Sequence, residues 1–241
     1  MDLGIAGKVA LVTAGSRGLG RATALALAGE GVRVMVSGRD VDSLERVRAD
    51  LDLIGVDADV RAGDVTDPEE PARLVAATLE RFGSLDILVA NAGGPPPGRA
   101  VDQSDEALEL ALNANLLTSV RLVRESLPYM RSAGWGRICC ITSYTVKQAA
   151  PVLALSNTAR VGLWGWMKTA AHDLAGESSG ITVNMACPGP HATDRMKELG
   201  GSGVMGDPAD FGSTVAFLCS QQAGFINGAS IVVDGGATLA L

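Results

Sequence analysis

Aromatic and metal-binding residue types are scarce in this sequence of 241 residues. Phe, Tyr and Trp together make up 4% of it, and neither its two histidines nor its four cysteines show the spacing of a metal site. The cysteines are Cys139, Cys140, Cys187 and Cys219. They lie in or beside apolar runs, so we predict buried free thiols in a reducing compartment and no metal site.

Long apolar segments are also missing. No apolar run approaches the roughly 20 residues that a helix needs to cross a bilayer. No signal peptide precedes the first apolar run. We therefore expect a cytoplasmic protein with no membrane partner.

Positive charge is the minority sign. Lys and Arg number 20 against 27 Asp and Glu, which gives a net charge of −7. A surface of this sign disfavours nucleic acid and anionic lipid as partners. It still allows a local basic pocket for one phosphate, and we expect a small-molecule substrate.

What the sequence does contain is a regular alternation of apolar, β-rich runs with helical patterns. Seven runs are typical of strands, at 8–13, 32–37, 56–60, 85–90, 136–143, 181–187 and 230–236. Most are apolar throughout, as parallel strands are when helices cover both faces of the sheet. With no linker or repeat, the sequence predicts one α/β domain over residues 1–241. Its sheet should be Rossmann-like, doubly wound and parallel, with seven strands.

The helices between these runs have local start signals. Asp67 and Pro68 predict the start of the third helix, as its N-cap and its first residue. Asp40 is the candidate N-cap of the second helix. Two longer helices are predicted at about 104–131 and 153–176.

A glycine-rich turn follows the first predicted strand. TAGSRGLG (13–20) places Gly15, Gly18 and Gly20 between this strand and the first helix. Glycines let the backbone approach a pyrophosphate there, and the free N–H groups of a helix N-terminus favour an anion. Because of its position between strand and helix, we interpret this turn as a dinucleotide site rather than as an ordinary tight turn.

This turn is one of several segments in which the sequence resembles the short-chain dehydrogenase/reductase family, and the resemblance extends along the whole chain. TAGSRGLG is similar to the family's cofactor loop, with Ala14 where glycine is more usual. ANAGG (90–94), CPGPHAT (187–193) and VDGG (233–236) are similar to other segments that mark the family. The resemblance implies a Rossmann-like fold, an oxidoreductase activity and a nicotinamide cofactor.

The resemblance also assigns roles to individual residues. Cofactor contacts fall on Gly15, Ser16, Arg17, Gly18, Leu19, Gly20, Asp64, Val65, Asn91, Ala92, Gly93, Pro188, Gly189 and Thr193. Asn115, in the segment NANL, corresponds to the asparagine that orders the proton-relay water. Ser143, at the end of the fifth strand, corresponds to the serine that orients the substrate.

The choice between NAD and NADP is predicted at the end of the second strand. An acidic residue there would bind the adenosine 2′-hydroxyl of NAD, but the position is Gly38, followed by Arg39. Arg17 supplies a second guanidinium within reach, and two guanidinium groups suit a 2′-phosphate. We predict NADP(H) rather than NAD(H). Asp40 is then an N-cap rather than a ribose ligand.

The catalytic pair departs from the family pattern. The family's tyrosine and lysine fall at positions 156 and 160, which are Ser156 and Arg160 here. A serine hydroxyl is a far weaker acid than a phenol and is poorly matched to deliver a proton at neutral pH. Arg160 keeps the positive charge, which can hold the cofactor ribose and stabilise an oxyanion. We predict Asn115, Ser143, Ser156 and Arg160 as catalytic residues, with Arg160 also a cofactor ligand.

Two other residues are candidates for the missing acid. Tyr144 directly follows Ser143 at the mouth of the expected site, and His191 lies in CPGPHAT. A histidine titrates near neutral pH, as a general acid should. A loop tyrosine or histidine is more often a packing or ligand contact, so both are predicted as substrate contacts. The identity of the acid stays open.

Three functions are compatible with a dinucleotide turn combined with Ser156 and Arg160 at the positions of the catalytic pair. We favour NADP(H)-dependent hydride transfer to or from a small carbonyl or alcohol, similar to that of 3-oxoacyl reductases but with a modified proton relay. The alternatives are a nonredox lyase, dehydratase or epimerase, and a nucleotide-binding protein without turnover. A halohydrin dehalogenase is disfavoured, because those relatives keep the tyrosine and lose the glycine loop. The resemblance also implies a homotetramer built on the helices at 104–131 and 153–176, with a dimer as the alternative.

Overall fold

A parallel sheet of seven strands forms the centre of the computed structural model, which describes residues 1–201 and 203–240. The strands are β1 (Val9–Val12), β2 (Arg33–Gly38), β3 (Ala58–Ala62), β4 (Ile87–Ala90), β5 (Gly136–Ile141), β6 (Ile181–Pro188) and β7 (Ser230–Val233). Their order across the sheet is β3-β2-β1-β4-β5-β6-β7. The chain reverses direction across the sheet between β1 and β4, which confirms the predicted Rossmann-like, doubly wound arrangement.

Eight α-helices lie in the described residues. They are α1 (Gly18–Gly29), α2 (Val41–Ile54), α3 (Glu70–Phe82), α4 (Asp105–Leu112), α5 (Thr118–Ala133), α6 (Ala154–Gly176), α7 (Asp194–Glu198) and α8 (Pro208–Leu218). A π-helical turn, Asn113–Leu117, joins α4 to α5. The helix predicted over 104–131 is therefore present, but one turn of it is widened. Such turns are rare and are frequently found at functional sites.

The core consists of two apolar layers, one on each face of the sheet. Ile87 and Leu88 are consecutive on β4 and belong to opposite layers, because successive strand residues point to opposite faces. Leu122 of α5 and Leu163 of α6 pack in one layer. Phe211 of α8 packs in the other. Burial on both faces explains why the strand sequences are apolar throughout.

The predicted start of the third helix was wrong. The helix α3 begins at Glu70 with Pro71 in its first turn, not at Pro68. The Asp67 carboxylate accepts a hydrogen bond from the backbone N–H of Glu69, and the Asp67 carbonyl accepts one from Glu70. These bonds close a tight turn over residues 67–70, and this turn delays the helix.

The third strand is also displaced, to Ala58–Ala62 from the predicted 56–60. Pairing with β2 extends to the register Gly38↔Ala62. Because β3 is an edge strand, its last residues, Arg61 and Ala62, are exposed, and the apolar pattern stops before the pairing does.

The four cysteines are free and buried, as predicted. Across residues 1–201 and 203–240, no helix has both the length and the apolar character that crossing a membrane requires.

Candidate active site

The carboxyl ends of the central strands bring the predicted site segments to one edge of the sheet. Thr13, directly after β1, exchanges hydrogen bonds with the backbone of Asn91 after β4, at 2.8 and 2.9 Å. The Asn91 side-chain amide donates to the Ala14 carbonyl at 3.2 Å. The turn of residues 13–20 is thereby fixed against the segment 91–94, and both open toward the same cleft.

The glycines of the first turn are required by close packing and by the backbone. A Cβ on Gly20 would lie 2.5 Å from the Ala14 carbonyl oxygen and 2.8 Å from Asn91 Nδ2. Gly18 starts α1 with φ +57°, and a Cβ there would lie 3.6 Å from Thr193 Cγ2. Ala14 adopts φ +45°, a left-handed conformation that glycine tolerates better.

The N-terminus of α1 fits a dinucleotide pyrophosphate. Its N-cap residue, Arg17, provides no capping side chain, so the first N–H groups are not satisfied from within this turn. Gly18 presents no side chain at this helix end, and Thr193 lies at van der Waals distance from where its Cβ would be. The uncapped helix end and the absence of a side chain at Gly18 together suit the anion that the sequence predicted.

The end of β2 leaves no room for an acidic side chain in the present packing. A Cβ on Gly38 would lie 2.9 Å from Ser16 Oγ, so the serine occupies that space. The next side chain, Arg39, is exposed and places Nη1 3.9 Å from Asp64 Oδ2. Asp40 caps α2, as predicted, by accepting a hydrogen bond from Ser43 N at 2.8 Å. Hydrogen bonds from Ser43 lower the pKa of Asp40, and the charges of Arg46 and Arg17 lower it further.

Ser156 and Arg160 lie on the first turns of α6 and contact each other. Arg160 Nε donates to Ser156 Oγ at 3.1 Å, and Nη1 donates to the carbonyl of Ile141, which ends β5, at 3.3 Å. Only 8% of Arg160 is exposed. No carboxylate of the described residues lies within ion-pair distance of it. Burial lowers the pKa of Arg160 to about 10, so it is still cationic at neutral pH.

Asn115 lies between α4 and α5, and Ser143 lies two residues after the end of β5. Asn115 lies in the π-helical turn and is 3% exposed; its Nδ2 donates weakly to the Ala111 carbonyl at 3.5 Å. Its Oδ1 has no hydrogen-bond partner among the described residues. Ser143 Oγ accepts from Thr145 N at 3.2 Å, which leaves its O–H free to donate. Tyr144, the next residue, is half-buried and starts a 3-10 turn.

His191 is placed differently from what its position in CPGPHAT predicts. Its ring is buried edge-on against Phe211, with ring centroids 5.3 Å apart. The ring packs so closely against Gly206 that a side chain at that position would overlap it. Nδ1 lies 3.0 Å from the Gly189 carbonyl. This is the environment of a packing residue. It argues against the predicted substrate contact and against a role as the acid.

Sequence reasoning missed Arg195. It lies on α7, and its Nη2 donates to the carbonyl of Pro95, in the loop after β4, at 2.9 Å. A Cβ on Gly94 would lie 3.8 Å from Arg195 Nη2 and 3.9 Å from Arg160 Nη2, so the two guanidinium groups converge on this glycine. The only signal in the sequence is that Arg195 follows Thr193 by two residues, and this spacing does not fix the course of the loop.

Comparison with known proteins identifies the family. The profile of a family described as enoyl-(acyl carrier protein) reductase matches residues 13–238. Dehydrogenase/reductase SDR family member 4 of Sus scrofa is 33% identical over 243 residues, which cover 95% of this chain and 86% of that protein. The chain belongs to the short-chain dehydrogenase/reductase family. It is an oxidoreductase of that family by sequence and by fold.

Two further comparisons support the assignment of this chain to the short-chain dehydrogenase/reductase family. The 3-oxoacyl-(acyl-carrier-protein) reductase of Vibrio cholerae is 33% identical over 245 residues, covering 97% of this chain and 98% of that one. L-sorbose reductase of Gluconobacter frateurii, solved with NADPH and L-sorbose, is 30% identical and superposes with a TM-score of 0.92 over both whole chains. This chain therefore shares the fold of a solved reductase along its entire length.

Proposed function

We propose that this short-chain dehydrogenase/reductase is an NADP(H)-dependent oxidoreductase that acts on a small carbonyl or alcohol, as 3-oxoacyl reductases do, with Ser156 and Arg160 replacing the tyrosine and lysine. The observation that carries the proposal is the buried Arg160 cation, hydrogen-bonded to Ser156 and anchored on the end of β5. The nicotinamide supplies or accepts the hydride. The residues of the chain bind, orient and stabilise charge.

The hydrogen-bond directions define what the two serines do. Because Arg160 Nε donates to Ser156 Oγ, the serine proton is directed elsewhere. Ser143 Oγ accepts from Thr145 N in the same way. Both hydroxyls can therefore donate to one substrate oxygen, and the nearby cation stabilises the negative charge that develops on it.

The alkoxide that hydride transfer would leave is basic enough to take its proton from water, so Ser156 needs only to donate a hydrogen bond to that oxygen. The buried and unpartnered Oδ1 of Asn115 supports a water site on the side of α6 that faces the π-helical turn. Tyr144 remains an alternative donor, since it is half-buried beside Ser143.

The choice of NADP(H) rests on Ser16, Gly38 and the two exposed arginines, Arg17 and Arg39. The hydroxyl of Ser16 occupies the space that an acidic residue at position 38 would need. The guanidinium groups of Arg17 and Arg39 supply the charge that a 2′-phosphate dianion requires. In the chain alone Arg39 faces Asp64, at a distance too long for a strong ion pair, so a phosphate can compete for it.

The test is a fluorescence titration with NADPH and NADH. Wild type should bind NADPH at least about tenfold more tightly than NADH. Arg39→Ala should weaken NADPH binding by about tenfold and leave NADH binding unchanged, because only NADP carries the 2′-phosphate. Arg124→Ala, on the exposed face of α5, is the matched control for charge loss. Binding of neither nucleotide would overturn the proposal.

A nonredox reaction is the second candidate, because Ser156 lacks the acidity of the family's tyrosine. A lyase, dehydratase or epimerase needs charge stabilisation at Arg160 more than it needs a matched acid. Substrate turnover without any net change in nicotinamide absorbance would favour this candidate over the first.

We also propose that the protein assembles as a homotetramer, with a dimer as the fallback. The edge strand β7 is only half-buried along its length and is apolar, and such an edge is ordinarily covered. Phe225, in the segment before β7, is fully exposed. Leu110 on α4 and Val161 on α6 are also exposed, but less so. In a tetramer, different copies of the same chain would cover these two surfaces.

A further inference from the structure

Arg160 has more hydrogen-bonding capacity than the protein uses. Of its five N–H groups, one on Nε and one on Nη1 have protein acceptors among the described residues. Nη2 faces Gly94, at 3.9 Å from the position of a Cβ on that residue. A guanidinium that is 8% exposed and lacks a carboxylate is unfavourable unless a ligand pairs with it.

Arg195 brings a second positive charge to the same point. Its Nη2 approaches Gly94 from α7, and its side chain is 44% exposed. The nearest carboxylate, Glu198 Oε2, is 3.5 Å from Nη1. Nη2 gives one of its two N–H groups to the Pro95 carbonyl, which leaves the other for a ligand. The proximity of the two cations is unfavourable in the absence of a ligand. Burial is the larger cause of the lowered pKa of Arg160, and the charge of Arg195 lowers this pKa further.

The two guanidinium groups meet at an exposed glycine. Gly94 has no side chain, so a ligand rather than a protein group can lie against both of them. Two guanidinium groups around an accessible glycine form a site for a planar anion with two oxygens. A neutral substrate would leave Arg160 without an anionic partner among the described residues, and Arg195 paired only with Glu198.

The anion is not accounted for by the phosphates of the cofactor. The uncapped N-terminus of α1 and the open Gly18 suit the pyrophosphate. Arg17 and Arg39 suit the 2′-phosphate at the end of β2. Gly94 instead follows β4, where Arg160 Nη2 approaches it while Nη1 of the same arginine reaches the Ile141 carbonyl at the end of β5.

We propose that the substrate carries a carboxylate close to its reacting carbon, as an oxo acid or hydroxy acid does, and that Arg160 and Arg195 hold this carboxylate over Gly94. This inference rests on the proposed function, because it names the substrate of that same site. The oxygen on the reacting carbon then lies within reach of Ser143 and Ser156, because Arg160 contacts both Ser156 and the carboxylate.

The test measures binding, not turnover. Isothermal titration calorimetry compares three oxo acids with their methyl esters: acetoacetate, 3-methyl-2-oxobutanoate and phenylpyruvate. Each is titrated into the protein with and without NADPH. We expect at least one acid to bind at least tenfold more tightly than its ester, both with and without nucleotide.

Arg195→Gln should abolish the preference for the acid, and Arg195→Lys should restore part of it. Lys197→Gln is the matched control, since it removes the same charge from the same short helix, where Lys197 pairs with Asp194. Equal binding of acids and esters in wild type would overturn the inference, and so would an equal effect of the two glutamine variants.

Loss of carboxylate binding when NADPH is added would also overturn the inference, because the anion site would then belong to the nucleotide. The NADPH titration of the same samples reports separately on the proposed function. Carboxylate preference without nucleotide binding would contradict the proposed function alone, and nucleotide binding without carboxylate preference would contradict this inference alone.

Discussion

At the scale of single residues, the unusual feature is a cation buried beside a serine, Arg160 beside Ser156, which we propose take the places of the family's lysine and tyrosine. Arg160 is held by Ser156 and by the carbonyl of Ile141, so its position is fixed by short local contacts. A serine accepting from a guanidinium is a good hydrogen-bond donor but a poor acid. In the proposed function, the pair therefore supplies charge stabilisation but no titrating acid.

The first prediction is that restoring the acid accelerates carbonyl reduction. Ser156→Tyr combined with Arg160→Lys should raise kcat for a simple ketone by about tenfold or more, since a matched general acid contributes at least that. Steady-state kinetics at saturating NADPH measures this change.

The pH profile separates this effect from a structural one. Wild type should show no change in kcat between pH 6 and 8.5, because the pKa of Arg160 is about 10 and the arginine stays charged. Activity should fall only as the pH rises through that value. The double variant should gain a new titration limb, and Ser156→Ala, which adds no acid, should not. A double variant less active than wild type at every pH would contradict the prediction.

At the scale of elements, the turn between β1 and α1 is built around one very close contact. Gly20 packs on the Ala14 carbonyl and on the side chain of Asn91, so this turn and the segment after β4 depend on each other. The positive φ of Ala14 adds strain to the same turn. The glycine at position 20 is therefore needed for packing, whereas the one at position 18 leaves room for a ligand.

The second prediction compares two glycines of α1. Gly20→Ala should lower the free energy of unfolding by about 1–3 kcal/mol, because the added methyl group would overlap backbone and side-chain atoms. It should also weaken nucleotide binding. Gly29→Ala, in the same helix with nothing within 4 Å of the new Cβ, should be neutral or stabilising by about 0.5 kcal/mol. Urea denaturation measures both, and equal destabilisation by the two variants would contradict the packing argument.

Element boundaries show where local signals compete. Asp67 is a good N-cap residue, and Pro68 is a good first helical residue, but the turn that Asp67 closes over residues 67–70 takes precedence. The second pair, Glu70 and Pro71, then begins α3. In contrast, Asp40 has no such competing turn, and it caps α2 as its sequence context predicts.

At the scale of the whole molecule, one edge of the sheet is open. The strand order ends at β7, whose residues are all half-buried, and the exposed Phe225 precedes it. The helices α4 and α6 expose apolar residues on another surface. Two separate apolar surfaces on one chain are what a tetramer with two kinds of interface requires.

The third prediction concerns assembly. Size-exclusion chromatography with light scattering should give four times the chain mass of 24.7 kDa. Phe225→Glu should reduce the mass to that of a dimer, because a charge cannot be buried in an apolar interface without a partner. Leu53→Glu, at another highly exposed apolar residue near the end of α2, should leave the mass unchanged. A wild-type mass of one chain would contradict the proposal.

The amino-acid sequence by itself determined the fold class, the number of strands and the dinucleotide turn. Alternating apolar runs and helical patterns are local signals, and buried parallel strands leave them nearly undisturbed. The glycine turn and the N-cap Asp40 are local too. For this reason the positions of Ser156 and Arg160, four residues apart on one helix, were also readable from the sequence.

Only the tertiary structure decided which loop residues meet at the site. His191 and Arg195 lie four residues apart in the same segment, yet the first is buried against Phe211 and the second reaches Pro95, a hundred residues earlier in the chain. The positions of these two side chains depend on how the segment after β6 folds over the sheet. No local pattern encodes this path, because contacts distant in the sequence fix it.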